Sequence, residues 1–376
     1  MSDLTPAFLQ VANFPVAAAA ALIEWSLRKY HGNSMDKTSR SRGRGTGRAT
    51  LEQVAGMAGV SIMTASRALS QPKLVSEATR IKVEQAVAEL GYVPNRAARA
   101  LASSQSHVIV VLVPSLSNAV FTAVLEGIHD AVAPGQYQLL IGNTYYSQLE
   151  EEKLLRTYLQ SNPDGILFSS QVRSPAVAKM LAASKVPAVA MMDLSDDPAV
   201  LSVGFSQYEA GMAMTRHLIA KGYTRIGFIG AQLDERTLRR ADGYRAAMAA
   251  AGLADPGLEL MVPERSTIAL GAGLMAQLMA LRPDCDAVFC CNDDLAHGAV
   301  FHCQRQGIRI PQDIAVCGFN DLPASAWMMP SLTTVDTPRY QIGFEAAGLL
   351  LQVIKGEEPA ERRIDLGFTL RDRESA

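Results

Sequence analysis

Apolar residues recur at every third or fourth position between residues 49 and 94, the spacing that lines one side of an α-helix. Thr50, Ser61 and Ser76 each stand where a helix needs an N-cap, and Gly91 stands where the last helix ends. The apolar positions, Ile81 among them, are enough for a small core. Three short helices are therefore predicted: Leu51–Ala58, a helix from Ser61 to about Leu69, and Glu77–Leu90.

From Val108 onward, short apolar runs alternate with amphipathic stretches, which is typical of parallel β-sheets covered by helices. The predicted strands are Val108–Val113, Tyr137–Gly142, Gly165–Ser169, Ala188–Met192, Arg225–Gly230, Ala287–Cys291 and Ile314–Gly318. The predicted helices are Ala119–Ala133, Gln148–Gln160, Pro175–Ala183, Gln207–Lys221, Thr237–Ala251, Ala269–Leu281, Leu295–Gln306 and Arg339–Lys355. These units are too many for one doubly wound sheet. The pattern predicts two parallel-sheet lobes facing each other across a cleft, with ligands beyond the carboxyl ends of the strands.

Length and charge indicate several domains, one of which meets a polyanion. The chain has 376 residues, of which 48% are hydrophobic and 19% charged, and its formal net charge is −2. Residues 36–107 hold eleven Lys or Arg and five acidic residues, a surplus of six, so the rest of the chain carries −8. A basic segment on an otherwise acidic protein indicates a polyanionic partner for that segment.

The first 34 residues contain an apolar stretch, Val16 to Trp25, that has the look of a signal peptide or a membrane anchor. It is too short to span a bilayer, Glu24 interrupts it, and no basic residue precedes it. We therefore expect a cytoplasmic protein without membrane association. Our hypothesis is that Met35 is the natural start, which mass spectrometry of the native N-terminus tests; a peptide from residues 1–30 would contradict it.

No catalytic motif is recognisable along the chain. The patterns G-x-S-x-G and G-x-x-x-x-G-K-[ST] are absent, and the six histidines show no ligand spacing. The five cysteines are expected to be reduced and buried: Cys285, Cys290, Cys291, Cys303 and Cys317. A zinc site is the alternative, but no C-x-x-C pair supports it. The sequence indicates neither an enzyme nor a cofactor.

The segment from Leu51 to Arg67 has the features of a helix-turn-helix. Ala55 is a small residue where two helices would cross, Gly59 fits the turn, and the apolar Val60 follows it. In such a motif the start of the second helix faces base edges in the major groove of DNA. Any three-helix bundle can contain this spacing, so an ordinary bundle stays open, but the basic surplus favours DNA binding.

Six residues of the second helix are expected to contact DNA. Ile62 and Met63 are expected to pack on thymine methyl groups, and Arg67 to bind guanine O6 and N7. The hydroxyl groups of Thr64 and Ser66 are candidates for phosphate contacts. The full set is Ser61, Ile62, Met63, Thr64, Ser66 and Arg67.

Four ordered motifs resemble those of the lactose/galactose-repressor (LacI/GalR) family, over about residues 49–370. They are Thr50-Leu-x-x-Val-Ala-x-x-Ala-Gly-Val-Ser61, Thr64-x-Ser-Arg67, Val75-Ser-x-x-Thr-Arg80 and Leu90-Gly-Tyr-x-Pro-Asn-x-Ala97. The resemblance implies a transcriptional repressor that binds double-stranded palindromic operator DNA as a homodimer. It also implies a core similar to periplasmic sugar-binding proteins, in which a small sugar-type effector controls the DNA affinity.

The resemblance assigns a domain to each part of the chain. The domains are residues 1–48, an extension and basic arm expected to be disordered; 49–94, the all-α helix-turn-helix domain; 95–106, a hinge helix and linker; and 107–376, the two-lobed α/β core for effector binding and dimerisation. Within the hinge helix, Asn95, Ala98 and Leu101 are implied DNA contacts. Leu101 would be a wedge between base steps, since a kinked duplex contacts more protein. Packing against the core is the alternative for Leu101.

Effector-binding residues are placed by the resemblance in loops at the strand ends. They are Ser115, Asn118, Phe121, Arg236, Arg240, Asp293 and Asn320. Phe121 is expected to stack on an apolar sugar face, Asp293 to accept hydrogen bonds from two hydroxyl groups, and an arginine to clamp a carboxylate. Capping of the following helix is the alternative role for Asp293.

Four stretches resemble the gluconate-repressor branch of the family. They are Val203-Gly-Phe-Ser-x-Tyr-Glu209, Leu233-Asp-Glu-Arg-Thr237, Asn292-Asp-Asp-Leu-Ala296 and Asp365-Leu-Gly-Phe-Thr-Leu370. Two arginines in the site favour a sugar acid such as gluconate over a neutral sugar, because cations offset the cost of burying a carboxylate. The alternative function is a solute-binding protein of the periplasmic sugar-binding type without a DNA function, against which residues 50–101 argue.

Overall fold

A computed structural model describes residues 49–93, 105–169 and 174–376. The chain divides into two units between residues 94 and 95. The expected extension at residues 1–48 and the expected hinge contacts Asn95, Ala98 and Leu101 lie outside the described residues.

Three helices form the first unit: α1 (Leu51–Ala58), α2 (Ile62–Ser70) and α3 (Glu77–Leu90). A capping box starts α1, because the Thr50 hydroxyl accepts the N–H of Gln53 while the Gln53 side chain accepts the N–H of Thr50. Gly59 ends α1 with a φ of 64°, a left-handed conformation that glycine adopts without steric cost. The three predicted helices are confirmed.

Small side chains fill the core of this unit: Val54, Ala55, Ala58, Ala65, Ala68, Val83 and Ala86 are buried. Alanines let the short helices approach closely, so a few residues suffice. The expectation that Ile81 belongs to this core is wrong, since 42% of it is exposed. Ile81 lies two positions before Val83, which places it on the opposite side of α3.

The second unit contains two lobes. Lobe 1 is built on six parallel strands, β1 (Val108–Val113), β2 (Gln138–Asn143), β3 (Gly165–Phe168), β4 (Ala188–Met191), β5 (Leu201–Gly204) and β11 (Arg363–Asp365), in the order β11-β5-β4-β3-β1-β2. Its helices are α4 (Ala119–Val132), α5 (Gln148–Leu159), α6 (Pro175–Ser184) and α11 (Arg339–Ile354).

Side chains of β1 alternate between two cores. Ile109 and Val111 belong to the core that also contains residues of α4 and α11, whereas Val110 and Leu112 belong to the core that contains residues of α5 and α6. Burial on both faces of the sheet is the reason that a central parallel strand is apolar throughout.

Lobe 2 has a four-stranded parallel sheet, formed by β6 (Ile226–Ala231), β7 (Glu259–Val262), β8 (Ala287–Cys290) and β9 (Ala315–Cys317), in the order β7-β6-β8-β9. Its helices are α7 (Gln207–Ala220), α8 (Glu235–Ala250), α9 (Ile268–Leu281) and α10 (Asp293–Gln306). Beside them, β10 (Thr334–Asp336) and β12 (Thr369–Arg371) form an antiparallel pair. The chain passes between the lobes three times: from β5 to α7, from β10 to α11, and from β11 to β12.

The two-lobed doubly wound architecture was expected, but five of the strands were not: β5, β7, β10, β11 and β12. Each of them is only three or four residues long. Each of them also contains a polar residue, so no continuous apolar run marks it, unlike the equally short β3 and β9.

Three helix pairs cross with a glycine on each side of the contact. The pairs are Gly127 with Gly343, between α4 and α11; Gly211 with Gly243, between α7 and α8; and Gly271 with Gly298, between α9 and α10. A Cβ atom on Gly343 would lie 2.0 Å from the carbonyl oxygen of Val124. The helices therefore touch backbone to backbone, at a distance that leaves no room for a side chain.

Replacing Gly343 by alanine is expected to lower the free energy of unfolding by about 1–3 kcal/mol, because the added methyl group is forced against the Val124 carbonyl. Gly348→Ala is the matched control on the same helix, since the space around Gly348 is open. It is expected to be neutral or to stabilise the protein by up to about 1 kcal/mol. Urea unfolding followed by circular dichroism measures both, and equal effects would contradict the close crossing.

Candidate functional sites

Helix α2 has a buried face and an exposed face. Ala65 and Ala68 are buried in the core of the first unit. The predicted DNA contacts lie away from that core: Ser61, Ile62, Met63, Ser66 and Arg67 are exposed and Thr64 is half-buried. Met63 is 70% exposed and Ile62 50%, and the helix contains no acidic residue. This surface is apolar and basic, which suits entry into a groove of DNA.

Ser61 and Thr64 fix the start of α2. The Ser61 hydroxyl oxygen accepts the N–H of Thr64 at 3.1 Å, and the two hydroxyl oxygens lie 2.9 Å apart. An N-cap of this kind orients the first turn, from which Ile62 and Met63 project. Part of the role of Ser61 is therefore to set the helix direction.

Two adjacent chambers lie between the lobes of the second unit. The outer chamber is a cavity of about 400 Å³. Lobe 1 lines it with Pro114, Thr144, Tyr146, Ser147, Gln148, Glu151, Ser169 and Asp193, and lobe 2 with Leu233, Asp234, Glu235, Arg236 and Leu238. Pro114, Thr144 and Ser169 directly follow β1, β2 and β3, so the chamber lies at the carboxyl ends of these strands.

The inner chamber is smaller, about 40 Å³, and more polar. Its wall consists of Asn118, Val120, Phe121, Tyr146, Met192, Ala231, Gln232, Asp234, Arg236, Thr237, Arg240, Ser266, Asn292 and Asn320. Tyr146, Asp234 and Arg236 line both chambers, which are therefore adjacent.

Arg240 is the most deeply buried cation of the inner chamber, with only 6% of its surface exposed. Its Nε donates to Oε1 of Gln207 at 2.8 Å, and Nη1 donates to the carbonyl oxygen of Cys291 at 2.6 Å. The guanidinium carbon lies 3.7 Å from the centroid of the Phe319 ring. Burial lowers the pKa of Arg240 to about 10, so the side chain is still a cation at neutral pH.

Asp234 and Arg236 form an ion pair in the wall shared by the chambers, with Nη2 of Arg236 2.6 Å from Oδ2 of Asp234. Asp234 also caps α8 by accepting the N–H of Thr237 at 3.0 Å. Burial alone would raise the pKa of Asp234, but the Arg236 charge and the Thr237 N–H lower it to about 2. Arg236 faces the Phe121 ring of lobe 1, 5.4 Å from its centroid.

Asp193 is a buried carboxylate in the outer chamber, on the lobe 1 side. Its Oδ2 lies 3.6 Å from Nε of Arg239 on α8, so the pair bridges the lobes. Burial raises the pKa of Asp193, and the Arg239 charge acts in the opposite direction. A carboxylate that is desolvated but loosely paired is well suited to accept hydrogen bonds from ligand hydroxyl groups.

Asn320 enters the inner chamber from a strained backbone, with a φ of 112°. The next residue, Asp321, holds this loop in place because its two carboxylate oxygens accept from Nη1 and Nη2 of Arg373 at 2.7 and 3.0 Å. Strain of this kind persists where the surrounding structure enforces it, and it is common at binding sites.

Residues 50–95 match the bacterial regulatory proteins of the lacI family. Residues 106–372 match the periplasmic binding proteins and sugar binding domain of the LacI family. The chain belongs to the LacI family. The match over residues 50–95 argues against the alternative of a solute-binding protein without a DNA function.

Similar proteins agree with this assignment. The HTH-type transcriptional regulator GntR of Pseudomonas aeruginosa is 49% identical over 340 residues, which cover 90% of this chain and 98% of that protein. The crystal structure of transcription regulator GntR from Chromobacterium violaceum is 51% identical with a TM-score of 0.70, covering 71% of this chain and 98% of that one. A lac repressor dimer bound to operator and the anti-inducer ONPF is 26% identical with a TM-score of 0.77, covering 87% and 99%.

The LacI-family chain is thus a DNA-binding transcriptional repressor whose core binds a sugar-type effector, and its relatives are regulators rather than enzymes. In the described residues, no helix is both long and apolar enough to cross a membrane. The five cysteines are buried and form no disulfide. No cluster of His, Cys, Asp and Glu among the described residues is arranged to hold a metal ion.

Five of the seven expected effector residues line the inner chamber: Asn118, Phe121, Arg236, Arg240 and Asn320. Ser115 and Asp293 are not part of either wall. Ser115 is buried, and its hydroxyl accepts the N–H of Asn118 and lies 3.2 Å from the Ser117 hydroxyl. It therefore shapes the loop that carries Asn118.

Asp293 lies in the interior of lobe 2 and is fully buried. Its Oδ2 accepts the N–H of Leu322 at 2.6 Å and the Ser325 hydroxyl at 2.8 Å, and its Oδ1 accepts the Thr334 hydroxyl at 2.7 Å. The cap of α10 is Asn292 rather than Asp293. Asp293 is thus neither the cap of α10 nor part of either chamber wall, and its carboxylate accepts from three protein donors inside lobe 2.

Several wall residues were not singled out in the sequence, among them Tyr146, Asn292, Asp193 and Ser266. Asn292 and Asp193 each come two residues after a strand, β8 and β4, which is a detectable signal. Tyr146 and Ser266 lie in loops further from strand ends, and their sequence surroundings give no such signal.

Replacing Asp293 by asparagine is expected to lower the free energy of unfolding by about 2–4 kcal/mol, since buried donors lose a charged acceptor. Asp294→Asn is the matched control. Burial raises the pKa of Asp294, so a neutral side chain there is expected to cost less than about 0.5 kcal/mol. Urea unfolding measures both. Unchanged stability of Asp293→Asn together with lost effector binding would restore Asp293 as a ligand contact.

Proposed function

We propose that this chain represses transcription by binding a palindromic operator as a homodimer, and that a sugar acid of the gluconate type controls the binding. The proposal of an acidic effector rests on the absence of an ion-pair partner for Arg240 in the part of the chain that the structure describes. No carboxylate of the described residues pairs with this buried cation, whereas Arg236 and Arg239 each have an acidic partner. A buried cation without a direct ion-pair partner is costly, and the Asp234 and Asp193 charges act on Arg240 only at longer range, so the site favours a ligand that brings a negative charge.

The sizes of the chambers suggest how such a ligand lies. The inner chamber, about 40 Å³, is too small for a whole sugar acid, whereas the outer chamber of about 400 Å³ is in the range of ligand sites. In the proposal the carboxylate enters the inner chamber and approaches Arg240. The polyol chain extends into the outer chamber, where Asp193, Thr144 and Ser169 offer hydrogen bonds to its hydroxyl groups.

For operator binding, we assign base contacts to Ile62, Met63 and Arg67 of α2 and phosphate contacts to Thr64 and Ser66. In the hinge region, the proposed contacts are Asn95, Ala98 and Leu101. A homodimer is supported by the solved lac repressor dimer on operator, which this chain resembles over 87% of its length. Since a repressor acts on DNA inside the cell, the proposal includes a cytoplasmic location.

Control of DNA binding requires that the effector distinguish two arrangements of the lobes. An effector shifts an equilibrium only by the difference in its affinity for the two states. Contacts to both lobes provide that difference, because a ligand held by Arg240 on one side and Asp193 on the other gains both contacts in a single arrangement only.

Arg67→Ala is expected to weaken binding to DNA from upstream of the chain's own gene by about 1–3 kcal/mol, through the loss of one base pair's recognition in each half-site. Arg80→Ala is the matched control in the same unit. Glu77 and Glu84 already offset the Arg80 charge, so that variant is expected to bind normally. Gel-shift titration at fixed salt measures both. An equal loss on upstream and random DNA would contradict base recognition by Arg67.

Isothermal titration calorimetry is expected to detect gluconate binding and to find glucose at least about tenfold weaker, since glucose lacks the charge. Arg240→Met is expected to weaken gluconate binding by about 100-fold. Arg245→Met is the control on the same helix, because Arg245 is exposed and pairs with Glu259. Glucose binding as tightly as gluconate, or no binding of either, would overturn the sugar-acid assignment.

A further inference from the structure

Gln207, the first residue of α7, connects the two lobes through its side-chain amide and is fully buried. Its Oε1 accepts from Nε of Arg240 at 2.8 Å, and its Nε2 donates to the carbonyl oxygen of Met192 at 2.8 Å. Met192 directly follows β4 in lobe 1, whereas Arg240 belongs to α8 in lobe 2. The Gln207 amide therefore orients the Arg240 guanidinium and, at the same time, forms a hydrogen bond between the two lobes.

The surroundings of Gln207 demand an amide. A guanidinium offers only donors, so the group that faces it must accept, and a backbone carbonyl is only an acceptor, so the group that faces it must donate. An amide does both at once. An ionised carboxylate accepts from Arg240 but has no proton for Met192, and it would lie against that carbonyl as an unfavourable pair. Gln207 thus holds Arg240 without supplying a negative charge.

No carboxylate of the described residues lies within ion-pair distance of Arg240, and the Asp234 and Asp193 charges act on it only from further away. Asp234 is 2.6 Å from Arg236 and caps α8, and Asp193 is 3.6 Å from Arg239. The Cys291 thiol is buried, and burial raises its pKa, so it is neutral at physiological pH. The remaining direct contacts of Arg240 are the Phe319 ring and the Cys291 carbonyl, which are dipolar or quadrupolar but uncharged.

We propose that Gln207 is the residue that makes the effector site selective for anions: its neutral amide positions Arg240 and leaves the positive charge to be compensated by the effector's carboxylate. This inference rests on the proposed function and adds to it a residue outside the chamber walls. A glutamate at the same position would provide the counter-charge within the protein. The site would then have no electrostatic reason to prefer an acid to a neutral polyol.

The test compares gluconate with sorbitol, which has the same carbon chain with a hydroxymethyl group in place of the carboxylate. For Gln207→Glu, the ratio of gluconate affinity to sorbitol affinity is expected to fall at least about tenfold relative to the unaltered chain. Gln207→Met removes both hydrogen bonds without adding charge. It is expected to weaken both ligands but to keep the ratio within about threefold. Calorimetry on the full chain measures all affinities.

A purely structural role for Gln207 would make the two variants act alike on both ligands, and that result would overturn the inference. A Gln207→Glu protein that still prefers gluconate to the original extent would also overturn it, while the proposed function stands. If the Glu variant does not fold, loss of the preference in Gln207→Met decides against the inference and its retention supports it. Absence of sugar-acid binding by the unaltered chain would overturn the proposed function, and the inference with it.

Discussion

A positive charge has to be held away from water at the junction of the two lobes, and the structure around the cleft is arranged to hold it. The Arg240 guanidinium lies against the Phe319 ring and donates to Gln207 and to the Cys291 carbonyl. These partners orient the cation but carry no charge themselves, and the carboxylates of Asp234 and Asp193 act on it only from beyond ion-pair distance. Because Gln207 also binds the Met192 carbonyl of lobe 1, the geometry of the cation and the approach of the lobes are set by the same hydrogen bonds.

Around this junction the lobes themselves are closely packed. Each contains helices that cross at paired glycines, such as Gly127 with Gly343 and Gly271 with Gly298. Backbone contact at such short range allows little sliding, so each lobe is expected to move as a rigid body. Motion is then concentrated in the three connections between the lobes. Ligand specificity lies in the loops beyond the strands, where Thr144, Ser169 and Asn292 are located.

The apolar pattern predicts the architecture well because a strand buried on both faces, such as Val108–Val113, is apolar at every position and so stands out from the loops around it. It does not predict β5, β7, β10, β11 and β12, because a polar residue interrupts the apolar run in each of these short strands. At the site, the motif resemblance predicts Arg240 and Phe121, and both are residues of the cavity wall. It also predicts Asp293, but the wall residue is the neighbouring Asn292. Asn292 is the N-cap of α10 with an extended backbone, whereas Asp293 is the first helical residue, so the two adjacent side chains face different surroundings. Sequence position alone does not say which of the two reaches the cavity.

The order in which strands enter the lobe 1 sheet has a consequence for biosynthesis. β5 pairs with β11, and Gly127 of α4 is covered by α11, although both partners come after all four strands of the lobe 2 sheet in the chain. A ribosome delivers the N-terminal part first, so the three-helix unit can fold early. Until lobe 2 has been synthesised, lobe 1 is incomplete: the edge of β5 has no partner strand, and the face of α4 that packs on α11 is uncovered. Open edges are where nascent chains associate wrongly, so we expect lobe 1 to be the part of this repressor most exposed to misassociation during synthesis.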